Sequence, residues 1–349
     1  MTPDPNKQHA LPDDDPSAVS RKKDHIELAF QSQVAAAALD GRFFYEPILS
    51  GHPAAGSLPT FSFLGKTLRT PLWVSSMTGG TERARTINRN LAKACAEFGM
   101  GMGLGSCRQL LYSDAYLPDF DVRALIGPDL PLYANLGVAQ IEQLFERGEQ
   151  DQLRVLVDKL QADGLIVHVN PMQEAMQPEG DFFKVSPLDT IQKTLAAVDF
   201  PVIVKEVGQG MGPKSLRALL QLPLAGLEFA AGGGTNFAQL ELLRSSPDQQ
   251  LIFGNMAKVG HSAAEMLGWL NAAVQELGRK CRVENIIISG GIRDFLDGYY
   301  LVRKATLPAV YGQASGFLKF AQGDYAELRT FVQAQVRGLE LANTYLVPR

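Results

Sequence analysis

Eight short apolar runs recur along this chain, at Leu72–Ser76, Met100–Gly105, Leu132–Asn135, Leu165–Asn170, Val202–Glu206, Gly226–Ala230, Ile286–Ser289 and Ala309–Gly312. Most are separated by stretches of helical periodicity, such as Thr86–Phe98, Gln152–Gln161, Leu188–Val198 and Lys214–Leu222. Strands covered on both faces read as unbroken apolar runs, which is the habit of parallel sheets. Alternation with helices predicts an α/β fold, and eight such units predict a closed (β/α)8 TIM barrel. An open doubly wound sheet is the competing architecture. The segment Leu251–His261 could add a further strand and change the count.

The polar residues fall where a barrel would use them. Gly164-Leu-Ile-Val-His168 runs into Asn170, Gln173 and Glu174, which crowds polar groups at one strand's carboxyl end. His168 and Asn170 are two apart and so project from one face, and Pro171 then ends the ladder. The other runs end in Ser75-Ser-Met-Thr-Gly-Gly80, Gly105-Ser-Cys-Arg108, Asn135, Lys205-Glu206, Gly232-Gly-Gly-Thr-Asn236, Gly290-Gly-Ile-Arg293 and Gln313-Ala-Ser315. In a barrel all these ends share one face, the face on which barrel enzymes carry their chemistry.

Charge narrows the ligands. A net charge of -4 supplies no broad field for nucleic acid or an anionic membrane, so any phosphate must be held by local cations. Cys95, Cys107 and Cys281 lack CxxC spacing, which fits a reducing cytoplasm better than a disulfide framework or structural zinc. Residues 1–20, rich in Pro, Asp and Ser, read as a disordered tail. Residues 21–349 then read as one barrel domain whose extension, 21–71, contributes to the substrate site.

Two glycine motifs late in the chain, Gly232–Asn236 and Gly290–Arg293, suit a phosphate cup. Their amides can face an anion, the following helices add positive dipole ends, and Arg293 can fork onto phosphate oxygens. The plainer reading is tight turns, but two such motifs on late strands favour phosphate. The alternating glycines of Met100-Gly-Met-Gly-Leu-Gly105 lack GxGxxG spacing and read as a bare strand face. Lys205 among barrel strands is costly unless paired or functional, although it could snorkel to the rim. The cluster Arg21-Lys-Lys-Asp-His25 reads as a solvated charge run on its own. No HExxH or GxSxG appears, and Glu174 with a phosphorylated substrate suits Mg²⁺ better than His168 suits zinc.

Taken in order, several elements resemble the type 2 isopentenyl-diphosphate isomerases, the FMN-dependent family. These are Arg21-Lys-Lys-Asp-His-Ile26, Met77-Thr-Gly-Gly80, Gly105-Ser-Cys-Arg108, Ala134-Asn-Leu-Gly137, His168-Val-Asn-Pro-Met-Gln-Glu174, Val204-Lys-Glu-Val-Gly208, Gly233-Gly-Thr-Asn236 and Ser289-Gly-Gly-Ile-Arg293. The resemblance extends from Arg21 to about Lys319. It implies a barrel that binds FMN, with Mg²⁺ and an isoprenoid diphosphate beside the flavin, NADPH as reductant, and a homo-oligomer of tetramer size or larger. The implied reaction interconverts isopentenyl and dimethylallyl diphosphate, with reduced flavin taking part in proton transfer. Neither a nucleic-acid partner nor a membrane partner is implied.

By the same resemblance Ser76, Met77, Thr78, Ser106, Asn135, Lys205 and Thr235 contact FMN, and Gly291, Arg293, Ala314 and Ser315 hold its phosphate. Arg21, Lys22, His25, Ser106, Arg108 and Asn170 surround the substrate diphosphate, and Glu174 binds Mg²⁺. Gln173, Lys205 and His168 stand at the chemistry. The chain departs from the family pattern at Leu227-Glu-Phe-Ala-Ala231, where an acidic residue and glycines are usual, and at Val259-Gly-His-Ser262, Cys107, Asp24 and Gln313-Ala-Ser315. Competing expectations are a flavin barrel that oxidises a 2-hydroxy acid and a non-catalytic flavin or phosphate-ligand binder.

Overall fold

Each apolar run forms a parallel strand: β1 Leu72–Val74, β2 Gly101–Gly103, β3 Leu132–Gly137, β4 Gly164–His168, β5 Val202–Lys205, β6 Gly226–Glu228, β7 Ile286–Ser289 and β8 Ala309–Gln313. Nearly every residue in them is buried, which is why the runs carry no alternation. They pair in sequence order and close on themselves, with Tyr311 opposite Leu72 and Gln313 opposite Val74. The fold is therefore the closed (β/α)8 barrel. The computed structural model describes residues 17–76 and 78–349.

Large rings fill the barrel interior. The Trp73 and Tyr133 rings meet edge to face at 6.2 Å, and Trp73 also packs on Phe63 at 6.3 Å. Glycine at 101 makes room for them, since a Cβ there would lie 2.3 Å from the Trp73 ring. Phe63 belongs to a hairpin, Phe61–Phe63 with Lys66–Leu68, whose turn residue Leu64 donates its N–H to Asn285 Oδ1 just ahead of β7. The Lys66 ammonium is bonded to the Asp163 carboxylate at the start of β4. This part of the extension 21–71 therefore plugs the amino-terminal end of the barrel, opposite the strand ends that carry the polar residues.

The helices follow local signals. Glu82–Phe98 starts at Thr81, whose hydroxyl accepts from Ala84 N–H, and stops at Gly99 in the left-handed region. The segment Leu251–His261 adds no strand. Ser246 caps a helix over Pro247–Phe253, with Pro247 in its first turn, and a 3-10 turn follows at Met256–Lys258. Leu251 and Ile252 are exposed on that helix, so this apolar run is not a buried strand.

The chain divides into two units, one made of residues up to Phe44 together with Arg349, the other of Tyr45–Pro348. In the first, residues 1–16 of the expected tail lie outside the described residues. Helix Ala18–Leu28 begins within that expected tail, before its boundary at residue 20, and carries Arg21, Lys22 and His25. The Asp40 carboxylate accepts from Arg42 Nε at 2.9 Å, and the Arg349 guanidinium stacks on the Phe44 ring at 4.5 Å. Among the described residues no helix is long and apolar enough to cross a membrane.

Candidate active site

Two adjoining cavities open at the carboxyl ends of the strands. The larger, about 370 Å³, lies over β5 to β8 and the end of β1. The smaller, about 100 Å³, lies over β2 to β5. Ser76, Lys205, Val207 and Phe237 line both, so the two spaces share one wall.

The larger cavity joins the two late glycine motifs. Gly233, Gly234, Thr235, Gly291, Arg293, Ala314 and Ser315 all line it. Gly290 and Gly291 have φ of 89° and 72°, conformations an L side chain rarely adopts. A Cβ on Gly290 would also lie 2.1 Å from the Ala231 carbonyl oxygen. One expected contribution fails. The helix after Gly290–Arg293 spends its first amides on its own cap, because Asp294 accepts from Leu296 and Asp297 N–H. Helix Ser315–Ala321 has no side-chain cap at Ala314, so its amides remain at the cavity edge. Arg293 keeps its guanidinium largely exposed while pairing with Asp297 at 3.0 Å.

A single layer of the barrel carries the charged groups. Gly137, His168, Lys205 and Glu228 are successive register partners across β3, β4, β5 and β6. Asn135 Nδ2 donates to the Leu104 carbonyl at 3.0 Å, so its Oδ1 accepts from His168 Nδ1–H at 2.7 Å. That arrangement leaves the His168 Nε2 lone pair as the free acceptor. Burial, with the Lys205 charge second, holds His168 down to about 3. The imidazole is thus neutral near pH ~7. Lys205 is 5 % exposed and its Nζ donates to the Glu206 carbonyl at 2.8 Å. Among the described residues no carboxylate pairs with it within 4.0 Å. The Glu206 carboxylate instead accepts from Gly208, Gln209 and Gly210 N–H at 2.7, 2.7 and 2.8 Å. Burial pushes the Glu206 carboxyl up despite those three amides.

Pro171 does more than end β4. It opens a helix, Pro171–Met176, on which Gln173 and Glu174 sit, with Asn170 as its N-cap residue. Asn170 Nδ2 donates to Gln173 Oε1 at 3.2 Å and to Glu174 Oε1 at 2.8 Å, binding the three into one unit. Glu174 Oε2 accepts from Asp181 N–H at 2.8 Å. Gln173, His168, Asn135 and Ser106 line the smaller cavity. Arg108 pairs with Asp181 at 3.0 Å, and Gln140 and Gln143 donate to the same carboxylate.

Most residues expected at the site meet there. Ser76, Ser106, Asn135, Lys205, Thr235, Gly291, Arg293, Ala314 and Ser315 line the cavities. Thr78 lines neither, and its backbone packs where a Cβ on Gly105 would fall. Met77 lies outside the described residues. Arg21, Lys22 and His25 belong to the first unit, on an exposed helix. Four residues with no site role expected from sequence, Ser75, Phe237, Glu228 and Ser289, also line the larger cavity, and Asp181, the partner of Arg108, likewise carried none. Ser75 and Ser289 each open a strand-end motif, and Glu228 is an acid ending an apolar strand. Phe237 carried no signal beyond following Gly-Thr-Asn.

A closed parallel barrel with two glycine motifs around one cavity, and a small polar cavity beside it, is an arrangement able to hold a phosphorylated ligand. No family model matches the chain. It is 34% identical over 332 residues, 93% of its length and 91% of the relative's, to an isopentenyl-diphosphate delta-isomerase of Rickettsia felis. It is 35% identical over 327 residues, 91% and 90% of the two chains, to an enzyme of the same name from Rickettsia rickettsii. The chain belongs to the isopentenyl-diphosphate delta-isomerase family, in accord with its type 2 motifs. Solved structures share the fold: a flavocytochrome b2 with sulfite bound matches at TM-score 0.58 and 13% identity, covering 87% of this chain and 72% of that one. A mandelate oxidase with benzaldehyde matches at TM-score 0.55 and 15% identity, covering 87% and 82%.

Proposed function

We propose that this enzyme is an FMN- and Mg²⁺-dependent isomerase that interconverts isopentenyl and dimethylallyl diphosphate. The observation that carries this reading is the shared wall of the two cavities. A phosphate cup in one is joined through Ser76 and Lys205 to a small chamber lined by Gln173 and His168 in the other.

The residues present fit FMN. Ser75 Oγ, Ser76 Oγ and Glu228 Oε2 are buried without a hydrogen-bond partner, and all three residues border the larger cavity. Buried polar atoms without partners are rare in native proteins, and a bound ligand is one explanation. The bare glycines suit the phosphate, where a Cβ on Gly234 would lie 3.0 Å from Gly291 N. When bound and reduced, by NADPH in this reading, FMN supplies an electron-rich ring able to exchange a proton with substrate carbon.

The fit to Mg²⁺ is narrower. Among the described residues no group of three or more His, Cys, Asp or Glu gathers as a metal site. Glu174 would therefore be the protein's single carboxylate ligand, with diphosphate oxygens and water completing the sphere, as Mg²⁺ commonly accepts. Each Glu174 oxygen accepts one hydrogen bond and retains lone-pair capacity.

The isomerisation adds a proton to the terminal methylene carbon C4 and removes one from C2, the CH₂ on the other side of the alkene carbon C3, so the double bond moves from C3–C4 to C2–C3 with no net redox change. Gln173 would orient the alkene, and neutral His168 would offer Nε2 as an acceptor within the chamber. Lys205 would stabilise negative charge on the ring edge facing it. Arg108 would offset charge on the diphosphate, and Ser106 and Asn170 would hydrogen-bond to its oxygens.

The test is anaerobic incubation of the purified protein with isopentenyl diphosphate, FMN, Mg²⁺ and NADPH. Dimethylallyl diphosphate should form and should vanish when flavin or Mg²⁺ is omitted. Bound, reduced flavin without product would overturn the isomerase reading and leave a changed substrate or a binding protein.

A further inference from the structure

Glu228 ends β6 with a carboxyl group that is 0 % exposed. Its Oε1 accepts from the Ser289 hydroxyl at 3.0 Å, and that hydroxyl in turn accepts from Ala230 N–H at 3.0 Å. The single Ser289 proton is thereby committed to Oε1. Oε2 has no partner, although the residue borders the larger cavity. An unsatisfied buried carboxyl oxygen is among the costliest groups a core can hold, so a site that retains one has a use for it.

Its place in the cavity narrows that use. One neighbouring strand, β5, brings Lys205, and the other, β7, leads directly into Gly290 and Gly291 of the anion cup. Glu228 therefore stands between the phosphate end and the end where Ser76 and Lys205 border the smaller chamber. A ligand spanning the two ends must cross it. In FMN the stretch between phosphate and ring is a chain of three secondary hydroxyls. Those hydroxyls are donors that match a carboxylate with one open oxygen. Two residues beyond Glu228, Ala230 has φ 42°, a conformation unusual for a residue with a Cβ, and its N–H is held by Ser289. One carboxyl thus anchors, through Ser289, the turn that opens the anion cup.

We infer that Glu228 binds the polyol linker of the cofactor, its Oε2 accepting from a secondary hydroxyl while Oε1 keeps the Ser289 bond. This inference rests on the FMN reading and adds to it a residue and a contact.

Flavin-free protein would be titrated with FMN and with three monodeoxy analogues, each lacking one secondary hydroxyl, by quenching of flavin fluorescence. The parent should bind one analogue at least about tenfold more weakly than FMN, the loss of a charge-assisted hydrogen bond. Glu228→Leu should lose the same factor for FMN and bind FMN and that analogue equally. Glu228→Gln, which keeps an acceptor for Ser289, should lose several-fold for FMN and nothing for the analogue. It decides the matter if circular dichroism shows the Leu variant unfolded. Unchanged FMN affinity in the variants, or variants that rank the four flavins as the parent does, would overturn the inference. A parent that binds no flavin would instead refute the FMN reading itself.

Discussion

His168 offers a stability prediction with a defined size. Its value in the folded chain is about 3, against about 6.5 when exposed, with burial as the chief cause and Lys205 as the second. A histidine lowered on folding stabilises nothing when protonated. The unfolded chain takes up the proton first, so stability falls as pH drops below about 6.5 and levels off only near 3. Between about pH 7 and about pH 5, linkage gives a loss of about 2 kcal/mol from this one group, and about 5 kcal/mol over the full window. His168→Gln removes the titration while an amide can still donate to Asn135 Oδ1. Urea unfolding of flavin-free protein at both pH values should show the parent losing about 2 kcal/mol more than the variant, with all other groups cancelling in the difference. Equal losses would refute the argument that His168 is held neutral by its surroundings.

Three further outcomes follow from the site. Gln173→Ala should lower kcat by at least about a hundredfold while FMN affinity stays within error by fluorescence titration. Glu174→Gln should raise the Mg²⁺ concentration for half-maximal rate by at least about tenfold in a metal titration. Gly290→Ala forces a side chain onto a φ of 89° and against the Ala231 carbonyl, 2.1 Å away. It should destabilise the protein by at least about 2 kcal/mol in urea melts and weaken FMN binding alongside.

The barrel was legible because its strands are short, buried on both faces and therefore apolar throughout, as in Leu165-Ile-Val167. The site was legible because chemistry in such a fold gathers at strand ends, so His168, Lys205 and Gly290 could be grouped without knowing their distances. Other relations depend on register or on approach through space. Glu228 and Ser289 meet only because β6 lies beside β7, and Arg108 finds Asp181 across 73 residues of sequence. The run Leu251-Ile-Phe253 misled because apolarity there does not mean burial, although Ser246-Pro247 ahead of it is a helix-start signal. The packing of the Phe63 ring on Trp73 likewise has no sequence signal, because it depends on where the Phe61–Leu68 hairpin meets the barrel.

In the proposed function the two joined cavities run an isomerisation on bound reduced flavin. The most direct measurement photoreduces the FMN-loaded protein anaerobically to set fractions, without NADPH, and follows isopentenyl diphosphate with Mg²⁺ present. The rate of dimethylallyl diphosphate formation should rise in proportion to the reduced fraction, over many turnovers and without loss of reduced flavin. No product at full reduction, or product limited to one equivalent per flavin reoxidised, would contradict the account.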